Sequence, residues 1–127
     1  WMYYAATCGR HKELDPGPGI GLARLRKEGF ASLRSPAGGG FVVTKTLLNP
    51  DGRLRVNADA AKGELWVRLT DYERTPLTGF VSQPITDDGV RQEVCWDSGD
   101  IPVPADRPLR LEFEMKGVVD LYSFCFS

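Results

Sequence analysis

RLRVNADAAKGELWVRLTDYE, residues Arg53 to Glu73, is the stretch whose reading decides the fold. Leu54, Val56 and Ala58 alternate with Arg53, Arg55, Asn57 and Asp59, and Leu65, Val67 and Leu69 alternate with Trp66, Arg68 and Thr70. A period of two, with one apolar and one polar face, marks a half-buried antiparallel strand. The small and flexible residues Ala60, Ala61, Lys62 and Gly63 between the runs predict a turn, so the segment reads as a β-hairpin. Successive side chains point to opposite faces, which puts Trp66 on the polar side with Arg55, Asn57 and Arg68.

Outward from the hairpin, short alternating runs recur between Gly- and Pro-rich breaks. Ahead of it lie Trp1 to Thr7, Ile20 to Lys27, Gly29 to Leu33 and Phe41 to Leu48, the last closed by the turn Asn49-Pro50-Asp51-Gly52. Pro16-Gly17-Pro18-Gly19 and Ser35 to Gly40 read as loops. After the hairpin, Thr75 to Asp88 is polar with a short strand at Phe80-Val81, Val90 to Trp96 alternates, and Asp97 to Arg107 is a Pro-rich crossover. Pro108 to Lys116 sends Leu109, Leu111, Phe113 and Met115 inward, and Gly117 is read as a turn into Val118 to Phe126. Tyr122, Phe124 and Phe126 fall on one face and are expected in the core. About eight strands with no helical periodicity predict an all-β protein. It is expected to be an antiparallel two-sheet β-sandwich of jelly-roll or Greek-key type.

The totals agree with one domain. The chain has 127 residues, 42% of them apolar and 26% charged, enough for a single core. A net charge of −1 supplies no bulk attraction to nucleic acid or to an anionic membrane, and no apolar run approaches the ~20 residues of a spanning helix. The three cysteines, Cys8, Cys95 and Cys125, form no CxxC pair, which argues against a zinc knuckle or a disulfide framework. Cys95 and Cys125 are read as buried free thiols, with a bridge between them as the alternative; cysteine usage leaves the compartment open. The chain opens at Trp1 without an initiator Met or signal peptide, and reads as a piece of a longer protein with residues 1–18 as a strand plus loop.

Three segments, GIGLARLRKEGFASL (19–33), RLRVNAD (53–59) and PLRLEFEMKGVVDLYSF (108–124), together resemble a known accessory domain. It is the C-terminal β-sandwich that follows a five-bladed β-propeller in sialidase-like and related glycosidase-like bacterial proteins. In that pattern a Tyr-rich last propeller strand leads through a polar loop into GxGLAxLRxDGFxSL. Trp1 to Ala6 then corresponds to a remnant of that strand, or to a segment housed in the sandwich. The match covers about residues 19–127 and consists of structural positions. It implies a non-catalytic module of a carbohydrate-active protein, secreted or periplasmic. The implied partners are a polysaccharide or oligosaccharide and a catalytic propeller in the same parent chain. The family's catalytic residues belong to the propeller, so none transfers to this chain.

Candidate chemistry follows from residue type. Pyranose rings stack on flat aromatic faces while Arg, Asn and Glu bond the hydroxyls. The expected carbohydrate contacts are therefore Trp66, Arg55, Asn57 and Arg68, with Tyr72 and Glu112 as neighbours if their strands pair. Glu112 and Glu114, two apart on one strand, sit ~6–7 Å apart at Cα, a spacing that also suits glycosidase carboxylates. A small stand-alone β-jelly-roll glycoside hydrolase is thus an alternative reading, and a structural interaction domain without sugar affinity is another. Arg110 and Lys116 beside the glutamates point instead to a solvated, salt-bridged face. His11 is the single histidine and, like Cys8, lies in a loop with no GxSxG elbow to make it part of a triad. Gly38 to Gly40 lacks the following GK[ST] of a phosphate loop. No metal or organic cofactor is required, although Asp51, Asp87, Asp88, Asp97, Asp100 and Asp120 in turns leave room for one structural Ca²⁺.

Overall fold

The computed structural model describes residues 1–6, 19–48, 50–99 and 102–127. The expectations for Cys8, His11, Asn49, Asp100 and the 9–18 loop lie outside the described residues. The fold class holds: the described residues form antiparallel β-sheets with no helix. The strands are β1 (Met2–Ala6), β2 (Gly19–Ala23), β3 (Leu33–Arg34), β4 (Gly40–Val43), β5 (Leu54–Asp71), β6 (Pro76–Val81), β7 (Asp88–Glu93) and β8 (Leu109–Phe126). β1 and β2 pair only with each other, as a two-stranded ribbon, so Trp1 to Ala6 is not housed in the sandwich. The other six form one sheet.

The predicted hairpin does not form. Residues 54–71 run as one 18-residue strand, and Lys62 and Gly63 pair with Val118 and Gly117 of the equally long β8. Gly117 is likewise not a turn. Each arm of β5 finds its partner in β8 rather than in the other arm, which pairs both arms along their full length. The small residues that suggested a turn serve a bulge. Asp59 pairs with Asp120 and Lys62 with Val118, so β5 advances three residues while β8 advances two. One extra residue flips the side-chain parity. That is why the inward set changes from Leu54, Val56, Ala58 and Ala60 to Leu65, Val67 and Leu69 without leaving the core.

A second bulge sits in β8, where Asn57 pairs with Ser123 and Ala58 with Leu121, leaving Tyr122 extra. The inward set there changes from Val119 and Leu121 to Phe124 and Phe126, which pack against the core. Tyr122 leaves the face expected of it and lies under the Arg26 guanidinium, 4.6 Å from the ring centroid.

At the joint the two strands approach closely. A Cβ on Gly63 would lie 2.3 Å from the Lys116 carbonyl oxygen, and Gly117 takes φ +73 with only 2.9 Å to the Lys62 carbonyl oxygen. Buried Ser35 clamps the joint: its hydroxyl donates to the Gly117 carbonyl (2.7 Å) and accepts from the Val119 amide (2.9 Å).

The joint divides the sheet into two halves that share β5 and β8. β3 and β7 flank the first half of β5 and its partner, and β4 and β6 flank the second. Inward side chains of both halves enter one core, closed by Phe80 and Trp96 in edge-to-face contact at 5.4 Å. The two layers of the sandwich are thus halves of one wrapped sheet. Cys95 and Cys125 correct another expectation: both are free and exposed, on outward positions near the strand ends.

Candidate functional site

The outward face of the second half carries a grid of side chains set by register. Trp66 of β5, Glu114 of β8 and Phe41 of β4 lie side by side in one cross-strand row. Arg68, Glu112 and Val43 form the next row, and Glu64 opposite Lys116 the one before. Cross-strand neighbours share a face, and two strand spacings of ~4.8 Å put the two aromatics on either side of Glu114. Together Phe41, Trp66, Arg68, Glu112, Glu114 and Lys116 line a cleft of about 230 Å³.

Each polar group in it has a defined setting. The Trp66 indole N–H donates to Glu64 Oε2 at 3.0 Å, and Lys116 Nζ stands 4.8 Å from the ring centroid. Glu112 is buried, with Oε1 accepting from Arg74 Nε at 2.9 Å and Oε2 lying 3.8 Å from Arg68 Nη1. Arg74 reaches it from the β5–β6 turn, where Arg74 itself takes φ +72. Asp71 Oδ1 holds that turn by accepting from the amides of Glu73 and Thr75 at 2.9 and 2.8 Å. Left-handed backbone at a non-glycine residue costs about 1–3 kcal/mol and persists where its surroundings hold it, here the Asp71 bonds and the Glu112 pair. Glu114 is half exposed, 3.9 Å from Lys116 Nζ. Phe41 is 50% exposed and more open than Trp66, with the Arg74 guanidinium 5.9 Å from its ring.

The structure brings Trp66, Arg68 and Glu112 together and separates them from the other expected contacts. Arg55 and Asn57 share the outward face of β5 but lie at its far end, on the order of 30 Å along the strand from Trp66. Arg55 faces Glu93 at 3.8 Å. Asn57 is buried and spent on structure: its Oδ1 accepts from Arg26 Nε at 2.5 Å and its Nδ2 donates to the Lys27 carbonyl at 2.9 Å. Tyr72 is exposed in the turn beyond β5 and does not line the cleft. The hairpin reading had folded these residues onto one patch, and the continuous strand spreads them over two.

Phe41, Lys116 and Arg74 escaped the sequence reading as contacts, and Glu114 entered only as a carboxylate pair with Glu112. Their spacing along the chain hides the register that joins them; the alternation of β8 places Glu112, Glu114 and Lys116 on one face, and this was the available signal. Both Glu112 oxygens face guanidinium groups, so this side chain holds Arg68 and Arg74 in place.

Three of the acidic residues expected in turns are also engaged with protein partners, and Asp120 lies within β8. Asp88 pairs with Arg26, Asp97 accepts from Gln83, and Asp120 accepts from Ser32 and bidentately from Arg34. The Arg34 bonds hold the Asp120 carboxyl below the usual carboxylate range. Among the described residues no group of three or more His, Cys, Asp or Glu side chains is placed to hold a metal ion. A second concavity, about 400 Å³, opens between β3 and β4 onto inward-facing Val42, Phe113, Leu121 and Phe124, and is the open flank of the core. Comparison with protein-family models, curated proteins and solved structures finds no match to this chain.

Proposed function

We propose that this chain is a non-catalytic carbohydrate-binding module, an accessory β-sandwich of a carbohydrate-active protein. The observation that carries this reading is the row Phe41–Glu114–Trp66, two aromatic rings flanking a carboxylate on an open sheet face, with Arg68 and Lys116 beside it. Aromatic faces take the apolar face of a pyranose, and the charged groups take its hydroxyls. A polysaccharide or oligosaccharide ligand goes with a secreted or periplasmic setting.

Affinity electrophoresis against a panel of soluble and insoluble polysaccharides tests it. Retardation by at least one glycan is expected, weakened about tenfold or more by Phe41→Ala or Trp66→Ala, with no reducing sugar released. Sugar release abolished by Glu112→Gln establishes a glycoside hydrolase instead. Binding by no glycan leaves a structural interaction domain.

One observation favours a bracing role alongside binding. Among the described residues the β1–β2 ribbon has both edges unpaired, and it exposes Trp1, Tyr3 and Ile20 at 78, 74 and 83%. An isolated two-stranded ribbon is marginal in water, and exposed apolar side chains mark interaction surfaces. A companion β-propeller in the same parent protein, as the resemblance implies, is the partner we assign to it. The double substitution Tyr3→Ser and Ile20→Ser is then expected to leave the isolated domain's melting temperature unchanged and to lower that of the longer protein.

A further inference from the structure

We infer that the cleft beside Phe41 and Trp66 takes a neutral saccharide through its ring hydroxyls, in preference to an acidic one. The inference rests on the carbohydrate-binding reading and names the ligand class of the same site.

Its basis is the spacing of charges. Lys116 Nζ stands 3.9 Å from Glu114 Oε1, and Arg68 Nη1 stands 3.8 Å from Glu112 Oε2. Both gaps exceed the ~2.7–3.2 Å of a direct hydrogen bond, so neither pair has spent its donors on its own acceptor. Among the described residues neither the Arg68 guanidinium nor the Lys116 ammonium donates a hydrogen bond, and the Glu114 carboxylate accepts none. A hydroxyl is the group that serves both partners at once, because it donates one hydrogen and accepts through two lone pairs. Placed beside such a pair, it accepts from the ammonium or guanidinium and donates to the carboxylate. Ring hydroxyls offer such groups, and Glu114, between the two rings in its row, is the acceptor nearest to a sugar stacked on Phe41.

An acidic sugar fits less well. The lining cations Arg68 and Lys116 are matched one for one by Glu112 and Glu114. An incoming carboxylate or sulfate finds Lys116 only beside Glu114, and it leaves that carboxylate without a donor while adding a like charge next to it. Arg74, paired with Glu112, adds a third cation, and Glu64, which accepts from the Trp66 indole, adds a third carboxylate, so the balance holds.

A glycan array holding neutral, uronate-bearing and sulfated glycans, read at about 0.05 and 0.5 M salt, tests the inference with the intact chain. Hits confined to neutral glycans, with the same affinity at both salt concentrations, are expected. Glu114→Gln, at an exposed position that leaves the core untouched, is expected to weaken those hits roughly tenfold or more. Two results overturn the inference and leave the module reading standing: hits carried by acidic glycans and weakened by salt, or neutral hits lost with Phe41→Ala but unchanged with Glu114→Gln. Absence of any hit overturns both.

Discussion

The two halves of β5 carry the same alternation and bury the same kind of residue, yet their outward faces have opposite fates. In the first half Asn57 is consumed, while Arg55 only faces the Glu93 carboxylate and its buried Nε has no hydrogen-bond partner among the described residues. Asn57 is locked by Arg26, whose guanidinium also pairs with Asp88 at 2.5 Å and lies over Tyr122. In the second half Trp66 and Arg68 look into an open cleft with Glu114, Lys116 and Phe41. The inward faces need only be apolar and in phase. What an outward face becomes depends on the neighbours brought to it: the 26–29 turn lies against Asn57 on the first half, whereas β4 and β6 only flank the second.

That comparison presumes a single strand with a bulge at its middle, and the sharpest way to break it is at the joint. Gly63→Ala places a Cβ against a backbone carbonyl that cannot move without shifting β8. Urea unfolding is expected to show a loss of about 3 kcal/mol. A midpoint equal to wild type contradicts the close pairing of Gly63 with Gly117 and restores the hairpin.

The halves themselves are compared by one substitution in each. Asn57→Ala strands the part-buried Lys27 carbonyl and Arg26 N–H, and is expected to cost about 1–3 kcal/mol without changing glycan affinity. Arg68→Gln, at a partly exposed side chain, is expected to change stability by only about 0.5 kcal/mol while weakening glycan binding. Equal stability losses from the two erase the distinction between a locked and an open face.

Acid sensitivity belongs to the joint as well. Asp120, beside the bulge, is bonded by Arg34 and Ser32 and is held below its ordinary range. A carboxyl depressed on folding contributes stability that is present above its unfolded value of about 3.9 and is lost as pH falls through the lower folded value. Asp120→Asn is therefore expected to lower the melting temperature at pH 7 and to flatten its decline below about pH 4. An unchanged acid limb in thermal scans removes Asp120 from the joint's stability.

Much of the molecule was legible in the residues. The inward positions of β5 and β8, from Leu54 to Leu69 and Leu109 to Met115, follow from alternation alone, because period two is a property of the extended backbone. The break between Ala60 and Gly63 was legible too, but its kind was not. A turn and a bulge both favour small, flexible residues and both shift parity. Which one forms depends on whether another strand offers a matching gap, and Gly117 lies 54 positions away from Gly63. The binding face suffered from the same ambiguity. Trp66 and Arg68 were found, while Asn57 and Arg55 were placed beside them by a fold-back that does not occur. Phe41, distant in sequence, was missed because its place next to Glu114 is a fact of register.

The sequence by itself therefore determined the all-β class, the faces of the long strands and a polar face rich in Arg and Glu around a tryptophan, since these depend on local periodicity and residue chemistry. The tertiary structure alone decided that the central pair is a continuous bulged ribbon, that Asn57 is buried under Arg26, and that Phe41, Glu114 and Trp66 share one row. Pairing between distant strands is selected by the total area buried and hydrogen bonds formed across the whole sheet, and no single stretch of chain contains that sum.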